Sequence, residues 1–176
     1  HYTDIESPLG DMIAGATENG ACFLEWTDRG GVKKILDRVE KRYLCKPTRS
    51  ETPHPHLEQL REELTRYFDG ALTAFTTPRD VFGTPFQRRV WQELLKIPYG
   101  KTLTYGEQAK RMGKPEAVRS VAAANGVNYL SILIPCHRVI GANGALTGYG
   151  GKLWRKERLL NLEGAGVSEC LALEPA

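Results

Sequence analysis

Residues 105–126 contain the pattern that narrows the choice of folds furthest: two short helical segments joined by a tight turn. Ala109 is small where two helices must cross closely, and Gly113 supplies a turn four residues later. Pro115 then suits the first turn of a second helix, where its missing N–H has no helical partner. This spacing is typical of a helix-turn-helix, which places its second helix in a DNA groove. Two packed helices without a nucleic-acid partner would show the same spacing.

The charge distribution favours a polyanion as partner. Residues 1–80 contain 11 Lys and Arg against 14 Asp and Glu, a net −3, and residues 81–176 contain 13 against 7, a net +6, which gives the +3 of the whole chain. An uneven, solvated surface without a polyanion is the alternative. Residues 86–119 contain three acidic residues and eight basic ones, and the basic ones could contact phosphates. The eight are Arg88, Arg89, Lys96, Lys101, Lys110, Arg111, Lys114 and Arg119.

The second helix of this motif is rich in small residues. A protein that reads base edges in the major groove usually presents long polar side chains there. Here Arg119 is the one long projecting side chain, so the helix can approach a backbone or a narrow groove closely. We therefore expect DNA binding with little sequence preference. The small residues are Ala117, Ser120, Ala122, Ala123 and Ala124.

The first half of the chain combines strand and helix patterns. Two strand-like runs flank Asn19-Gly20, and Asn-Gly is a strong hairpin signal. Two amphipathic helices are predicted over residues 30–44 and 56–70. Their buried stripes are Val32, Ile35, Leu36, Val39 and Leu44 in the first, and Leu57, Leu60, Leu64 and Phe68 in the second. In the polar, proline-rich stretch before the second helix, we expect His54 and His56 to be exposed loop residues.

A cluster of turn residues at 75–85 marks the boundary between the halves. A third helix is predicted to start there, with Thr84 at its cap, Pro85 in its first turn, and a buried stripe of Phe86, Val90, Trp91, Leu94 and Leu95. The predicted fold class is α+β. Residues 1–80 would form a small N-terminal domain with an antiparallel sheet and helices. A mostly helical domain with a winged-helix-like helix-turn-helix would occupy residues 81–166, followed by a C-terminal tail at 167–176.

The cysteines show neither a disulfide framework nor a zinc spacing. A chain of 176 residues rarely needs disulfides, so we expect free thiols and a reducing compartment. No Cys-x-x-Cys or His-x-x-x-His pair indicates zinc. No apolar run approaches the roughly 18 residues of a membrane span, and no signal peptide begins at His1. We therefore expect a cytoplasmic protein, or a nuclear one if the source is eukaryotic, and not a secreted one. The cysteines are Cys22, Cys45, Cys136 and Cys170.

Cys136 follows a buried run and a proline in the segment SILIPCHRVIGANG. Residues 130–134 predict a short buried strand that Pro135 ends. One interpretation makes Cys136 a small hydrophobic residue at the edge of a core. The other makes it a nucleophile, because His137 and Arg138 follow it at the end of an element. A nearby imidazole or positive charge lowers the pKa of a thiol, and the thiolate is the reactive form.

Glu163 is a second candidate for the same site. It ends the helix predicted over residues 152–163, just before Gly164. A carboxylate at a helix C-terminus opposes the helix dipole, and a residue that breaks a local rule often marks a functional site. A buried carboxylate there could hold an imidazole in place.

The region from about Thr84 to Gly166 closely resembles the O6-alkylguanine-DNA alkyltransferases, also called methylated-DNA–protein-cysteine methyltransferases. The resemblance rests on PCHRV, preceded by Asn128 and followed by GYGG and LLNLEG, and on VWQELLKIPYGKTLTYGE and GKPEAVRSVAAANGVN. The N-terminal SPLGDMIAGATENG resembles the opening strand pair of that family less specifically. The resemblance implies a cofactor-free DNA repair protein. Such a protein flips O6-alkylguanine, and also O4-alkylthymine, out of the duplex and transfers the alkyl group irreversibly to its own cysteine in a single turnover.

The resemblance also implies roles for individual residues. Cys136 would be the nucleophile, His137 would accept its proton through a water, and Glu163 would orient His137. Asn128 would brace the turn between the recognition helix and the segment that carries the cysteine. Tyr105 would donate to N3 of the guanine and rotate its 3′ phosphate.

Other residues are implied to contact DNA. Arg119 would enter the duplex and fill the gap that the extruded base leaves. The implied partner is double-stranded DNA, bound without sequence preference by a monomer. The DNA-binding set is Thr104, Tyr105, Ala117, Arg119, Ser120 and Ala122, and the set lining the base pocket is Tyr105, Ser131, Val139, Tyr149 and Gly150.

Two departures from the family and two alternatives remain. Thr17 and Cys22 stand where some members hold a structural zinc, so we expect no metal. Ser131 replaces a residue that is often proline or another apolar type, which leaves the breadth of substrates open. One alternative is a non-catalytic alkyltransferase-like or helix-turn-helix DNA-binding protein, although such proteins lack the reactive cysteine. The other is a cysteine hydrolase, which would leave the basic half of the chain without a role.

Overall fold

The computed structural model describes residues 1–166, and the predicted tail at 167–176, with Cys170, lies outside the described residues. The fold is α+β, as predicted. It begins with a three-stranded antiparallel sheet in the order β1-β2-β3. The strands are β1 (Tyr2–Ile5), β2 (Met12–Thr17) and β3 (Gly20–Trp26), and the first two helices are α1 (Val32–Tyr43) and α2 (Pro55–Phe68).

Both faces of this sheet are buried. Ile13 and Phe23 pack with Ile35 of α1, while the opposite face packs on α2 and the second half of the chain. The predicted hairpin is confirmed, with a loop of two residues between Thr17 and Gly20. Gly20 has φ 151°, and a Cβ there would lie 2.5 Å from the carbonyl oxygen of Pro78. A larger residue would therefore push apart the hairpin and the segment that leaves α2.

Three residues near α1 and α2 differ from the prediction. Leu44, expected in the buried stripe of α1, is 89% exposed, because the helix ends one residue earlier and Leu44 adopts a left-handed conformation with φ 53°. His54 and His56 are half-buried and not in an exposed loop. Pro55 starts α2 earlier than expected, so that His54 is the N-cap and His56 lies in the first turn.

Helix α3 (Pro85–Leu95) starts as predicted. The Thr84 hydroxyl accepts a hydrogen bond from the Gln87 N–H, and the Gln87 side chain accepts one from the Thr84 N–H, which forms a capping box. Leu95 is not part of the buried stripe and is 42% exposed, because it lies one position beyond Leu94, where the helix turns toward solvent.

The predicted helix-turn-helix is formed by α4 (Tyr105–Arg111) and α5 (Val118–Gly126). Gly113 makes the turn with φ 70°, and Ala109 is fully buried at the crossing. The residues Pro115–Ala117 form one 3₁₀ turn, so α5 begins three residues later than the proline indicates.

The buried run at residues 130–134 is not a strand, and that prediction is wrong. Asn128 folds the run into a turn, since its Oδ1 accepts from the Leu130 N–H at 3.0 Å and its Nδ2 donates to the Ile134 carbonyl at 2.8 Å. Ile132 has φ 70°, which no strand permits. An apolar run shows burial but not the path of the main chain, and here a local side chain decides that path.

Three elements complete the second half. Strand β4 (Leu103–Thr104) pairs in parallel with β5 (Val139–Ile140), which joins the start of α4 to the segment after the cysteine. Helix α6 (Leu153–Leu162) ends just before Glu163, close to its predicted end. Within residues 1–166, no helix has the length and apolarity needed to cross a membrane.

Glu63 of α2 fixes the segment that leads into the second half. Its carboxylate accepts hydrogen bonds from the N–H and the hydroxyl of both Thr76 and Thr77, at 2.5 to 3.2 Å. Burial opposes ionisation of this group, but the four donors outweigh burial and lower its pKa from 4.5 to about 2.

We predict that Glu63→Gln lowers the free energy of unfolding at pH 7. A folded-state pKa below the unfolded value stabilises the fold above pH 4.5, and that stability is lost as the pH falls toward about 2. Urea unfolding at several pH values should therefore show a weaker pH dependence in this window for the variant. The exposed neighbour Glu62 provides the control substitution, Glu62→Gln, which should behave like the unmodified protein. An unchanged pH dependence in Glu63→Gln would contradict the assignment.

Candidate active site

Cys136 lies in a 3₁₀ turn (Cys136–Arg138) that starts directly after Pro135. Its side chain is 9% exposed. The Nδ2 of Asn128 lies 3.2 Å from its Sγ and donates at the same time to the Ile134 carbonyl. The turn built by Asn128 therefore places both the thiol and a hydrogen-bond donor to it.

His137 and Glu163 form a buried pair beside the thiol segment. His137 Nε2 lies 2.7 Å from Glu163 Oε1, and neither side chain is exposed. Because a carboxylate only accepts, the proton of the imidazole lies on Nε2, and Nδ1 is left as an acceptor. Nδ1 has no hydrogen-bond partner among the described residues. Burial lowers the pKa of His137, so the ring is neutral and able to take up a proton.

The Glu163 carboxylate has further partners that sequence reasoning missed. Arg138 binds it with two hydrogen bonds, Nε to Oε2 at 2.8 Å and Nη2 to Oε1 at 3.0 Å. The hydroxyl of Tyr67, from α2, donates to Oε1 at 2.7 Å. Burial opposes ionisation of Glu163, but the hydrogen bonds from His137 and Arg138 and the charge of Arg138 outweigh it and hold the pKa of this carboxyl well below its usual range.

Tyr67 could have been found only in part from the sequence. It lies three residues after Leu64, on the buried face of α2, so its burial was predictable. Its partner lies 96 residues away along the chain, and no local pattern indicates that contact. Tyr67 therefore links the N-terminal half directly to the carboxylate.

The expected activation of the thiol by its neighbours is wrong. Burial raises the pKa of Cys136, and the Asn128 hydrogen bond and the charges of Lys156 and Arg29 oppose that effect only in part. The charge of Arg138 is directed at Glu163, and the imidazole is neutral. The thiol is therefore protonated at rest, so that nucleophilic attack requires its proton to move to an acceptor.

Lys156 is a second residue that the sequence reading missed. It is fully buried in α6, and its Nζ donates to the carbonyls of Val139 at 2.5 Å and Thr147 at 2.7 Å. Burial lowers the pKa of this amine to about 8. Lys156 lies three residues before the buried Leu159, on the same face of α6, and this spacing could have indicated its burial from the sequence.

The residues assigned to the base pocket surround this segment. Val139 is fully buried as the first residue of β5, and Ser131 is buried in the turn that Asn128 forms. Tyr149 is half-buried, with a buried hydroxyl that has no hydrogen-bond partner among the described residues. Gly150 is exposed. The hydroxyl of Tyr105 donates to the carbonyl of Thr147 at 3.1 Å.

The residues assigned to DNA binding lie along α4, α5 and the turn between them. Arg119 and Ser120 are exposed at the start of α5, while Ala117 and Ala122 are half-buried. The Thr104 hydroxyl accepts from the Glu107 N–H and so caps α4. Arg119 makes no hydrogen bond or salt bridge within residues 1–166, so its guanidinium is available to a ligand there.

The region corresponding to the zinc site of some relatives is occupied by other contacts. The Thr17 hydroxyl donates to Asp80 at 2.5 Å, and Cys22 is 4% exposed in the core around α1. Across the described part of the chain, no group of three or more His, Cys, Asp and Glu side chains is arranged to hold a metal ion.

A buried thiol, a neutral imidazole on a carboxylate and an exposed arginine on a helix-turn-helix together define a class of protein. That class is DNA-binding proteins with a nucleophilic cysteine. Two family models match the chain: the ribonuclease-like domain of 6-O-methylguanine DNA methyltransferase over residues 1–81, and the DNA binding domain of the same family over residues 85–165.

Individual relatives agree with this match. The methylated-DNA–protein-cysteine methyltransferase of Mycobacterium tuberculosis is 45% identical over 166 residues, which cover 93% of this chain and 92% of the relative. The constitutive enzyme of Bacillus subtilis is 41% identical and covers 96% of this chain and 98% of its own. A crystal structure of M. tuberculosis OGT in complex with DNA matches with a TM-score of 0.79 and 40% identity, covering 94% of this chain and 93% of that one.

The chain therefore belongs to the 6-O-methylguanine DNA methyltransferase family. It is a DNA repair protein that transfers an alkyl group from DNA to a cysteine of its own.

We predict that Tyr67→Phe slows alkyl transfer by an order of magnitude, because small losses of alignment at a reacting group have effects of this size or larger. The variant removes one donor to Glu163 and leaves the aromatic packing in place, so the loss of stability should be about 1 kcal/mol. Single-turnover transfer and thermal unfolding measure the two effects. Tyr99→Phe is the matched control, since the Tyr99 hydroxyl donates to the Leu162 carbonyl instead. Equal slowing in both variants would show that Tyr67 acts only through stability.

Proposed function

We propose that Cys136 is the residue that accepts the alkyl group, from an O6-alkylguanine that the protein flips out of duplex DNA. One observation carries this proposal. Next to the Cys136 thiol, which Asn128 contacts, His137 is neutral, holds its proton on the Glu163 side and has an Nδ1 without a hydrogen-bond partner among residues 1–166. Such an arrangement can remove a proton from Cys136 as the thiol becomes a nucleophile.

The reaction is a displacement at the alkyl carbon. The thiol proton passes through a water to Nδ1 of His137, the sulfur forms a bond to the alkyl carbon, and the bond from that carbon to O6 of the guanine breaks. The leaving guanine anion takes up a proton from water, and Tyr105 stabilises the anion by donating a hydrogen bond to N3. For this step the Tyr105 hydroxyl exchanges its bond to the Thr147 carbonyl for one to the base. Glu163 keeps His137 in the acceptor orientation.

The product explains why each molecule reacts once. A thioether at Cys136 is stable, and a displaced guanine cannot restore the thiol. The proposed reaction needs no cofactor, because the bonds and protons balance without one. The same displacement applies to O4-alkylthymine, which offers an equivalent carbon to a pocket formed by Tyr105, Ser131, Val139, Tyr149 and Gly150.

We propose further that a monomer binds duplex DNA without sequence preference, through α5. The small residues at the exposed start of this helix permit close approach, and Arg119 fills the space of the extruded base. Extrusion has an unfavourable free energy of a few kcal/mol, which a stacked side chain partly offsets. The proposed location is the compartment that contains the DNA, either the cytoplasm of a prokaryote or the nucleus of a eukaryote.

We predict that Cys136→Ser abolishes alkyl transfer and leaves the affinity for undamaged duplex unchanged, because a hydroxyl is nearly isosteric with a thiol but far less nucleophilic. Incubation with duplex bearing labelled O6-methylguanine, followed by peptide mass spectrometry, locates the label. Label on Cys22, Cys45 or Cys170 would contradict the assignment of Cys136. Tight binding of the lesion without covalent label on the unmodified protein would favour the non-catalytic alternative.

We predict that Arg119→Ala slows repair of a lesion inside a duplex but not the slow reaction with free O6-methylguanine, which needs no extrusion. Single-turnover rates on the two substrates test this directly. A phosphate-contacting arginine would instead weaken duplex binding uniformly and reduce its salt dependence. Lys101→Ala, at an exposed basic residue before α4, is the control for a general loss of charge. If the rates on duplex and on free base fall by the same factor, the proposal that Arg119 fills the space of the extruded base is wrong.

A further inference from the structure

Arg29 belongs to the N-terminal half, in the segment after β3, but its guanidinium lies at the end of α5. Its Nη2 donates to the Gly126 carbonyl at 2.7 Å, and its Nη1 donates to the Asn128 carbonyl at 3.1 Å. Gly126 is the last residue of the recognition helix, and Asn128 is the residue whose side chain contacts the thiol. One side chain therefore joins the DNA-reading helix to the nucleophile's nearest donor.

A buried carboxylate holds this guanidinium in place. Glu25 is 2% exposed, and its Oε1 lies 3.2 Å from Arg29 Nη1, while its Oε2 lies 3.3 Å from Arg38 Nη2. The Arg29 side chain is 18% exposed, which is too little for a freely moving surface arginine. The planar guanidinium binds two carbonyls and one carboxylate at once, and the single ammonium of a lysine could not reproduce this geometry.

Arg29 also contacts the segment assigned to the base pocket. A Cβ at Gly150 would lie 2.3 Å from Arg29 Cζ, so the main chain of Gly150 packs directly on the guanidinium. The guanidinium thus touches three parts of the site: the end of α5, the main chain of Asn128 and the segment next to Tyr149.

We infer that Arg29 is a positioning residue for alkyl transfer, which the N-terminal half supplies to the catalytic half. It fixes the main chain of Asn128, and thereby the position of the Asn128 amide, 3.2 Å from Cys136 Sγ. Its location at the C-terminal end of α5 also places a positive charge where helix carbonyls lack partners. This inference rests on the proposed function, since it takes Cys136 as the acceptor.

The charge of Arg29 adds a second effect that can be separated from its geometry. It opposes the rise in the pKa of Cys136 that burial causes. Arg29→Lys keeps the positive charge but loses the planar guanidinium, so it should affect alignment alone. Arg29→Met loses both, so it should affect alignment and also proton loss from the thiol.

The test compares Arg29→Lys and Arg29→Met with the matched control Arg42→Met. Arg42 also comes from the N-terminal half and donates to a main-chain carbonyl, that of Phe82 at 3.0 Å, but it does not contact Gly126 or Asn128. Each protein is assayed for single-turnover methyl transfer to Cys136 from free O6-methylguanine and from damaged duplex, for affinity to undamaged duplex, and for thermal unfolding. Arg29→Lys keeps a cation beside Glu25, so that this variant stays folded even if Arg29→Met does not.

We expect each Arg29 variant to react more slowly than the unmodified protein, by about 10- to 100-fold. For a given variant, the factor should be the same with free base as with duplex, and duplex affinity should be unchanged. Arg42→Met should react at the unmodified rate. The midpoint of the pH–rate profile should move to higher pH in Arg29→Met and stay in place in Arg29→Lys.

Three results would overturn the inference. A full rate in Arg29→Lys would show that charge alone matters, and slowing on duplex alone, with weaker binding, would make Arg29 a DNA contact. Equal slowing in Arg42→Met would show an effect of stability only. Failure of the proposed function is distinguishable, because the unmodified protein would then carry no methyl group on Cys136.

Discussion

A single buried carboxylate, that of Glu163, joins the two halves of this protein at the reactive site. Its oxygens accept hydrogen bonds from His137, from two nitrogens of Arg138 and from the hydroxyl of Tyr67, and the Gly100 N–H lies 3.4 Å away. Burial of a charge is strongly unfavourable unless the charge is paired and fully hydrogen-bonded. Because Tyr67 comes from the N-terminal half and the other donors from the second half, separation of the halves would expose this unfavourable state. Contacts from both halves of the described chain therefore hold the partner of His137 in place.

The position of Glu163 at the end of α6 would be unfavourable without Arg138. A carboxylate there faces the negative end of the helix dipole, and the two-point contact with a guanidinium compensates for both charges. This pairing also has a consequence for His137. Because the charge of Arg138 balances that of the carboxylate, Glu163 accepts a hydrogen bond from the Nε2–H of His137 without favouring a second proton on the ring. Nδ1 therefore stays an acceptor. The sequence predicts that Arg138 lowers the pKa of Cys136 directly, but its guanidinium donates to Glu163 instead.

The parts of this arrangement differ in how far the sequence predicts them. Helical periods and caps predict six helices to within a few residues, because each depends on neighbours along the chain. Cys136 and Glu163 were recognisable for the same reason, since each departs from what its own element favours. The turn at residues 130–134 was not, because an apolar run is compatible with several main-chain paths and the Asn128 side chain selects one. Tyr67 and Arg29 were missed because their partners lie 96 to 99 residues away, where no local pattern reaches.

A protonated, nearly buried thiol suits a protein whose reactive group is used once. A permanent thiolate would react with any soluble electrophile, and each such event would consume a molecule. Burial raises the pKa of Cys136 and limits access to it, so that attack depends on an acceptor for the proton and on an alkyl carbon placed in line with the sulfur. In the proposed reaction, His137 meets the first condition, and the main-chain contacts around Asn128 and Arg29 provide the geometry for the second. Under this proposal, selectivity for a damaged base follows from alignment in the pocket and not from an intrinsically reactive sulfur.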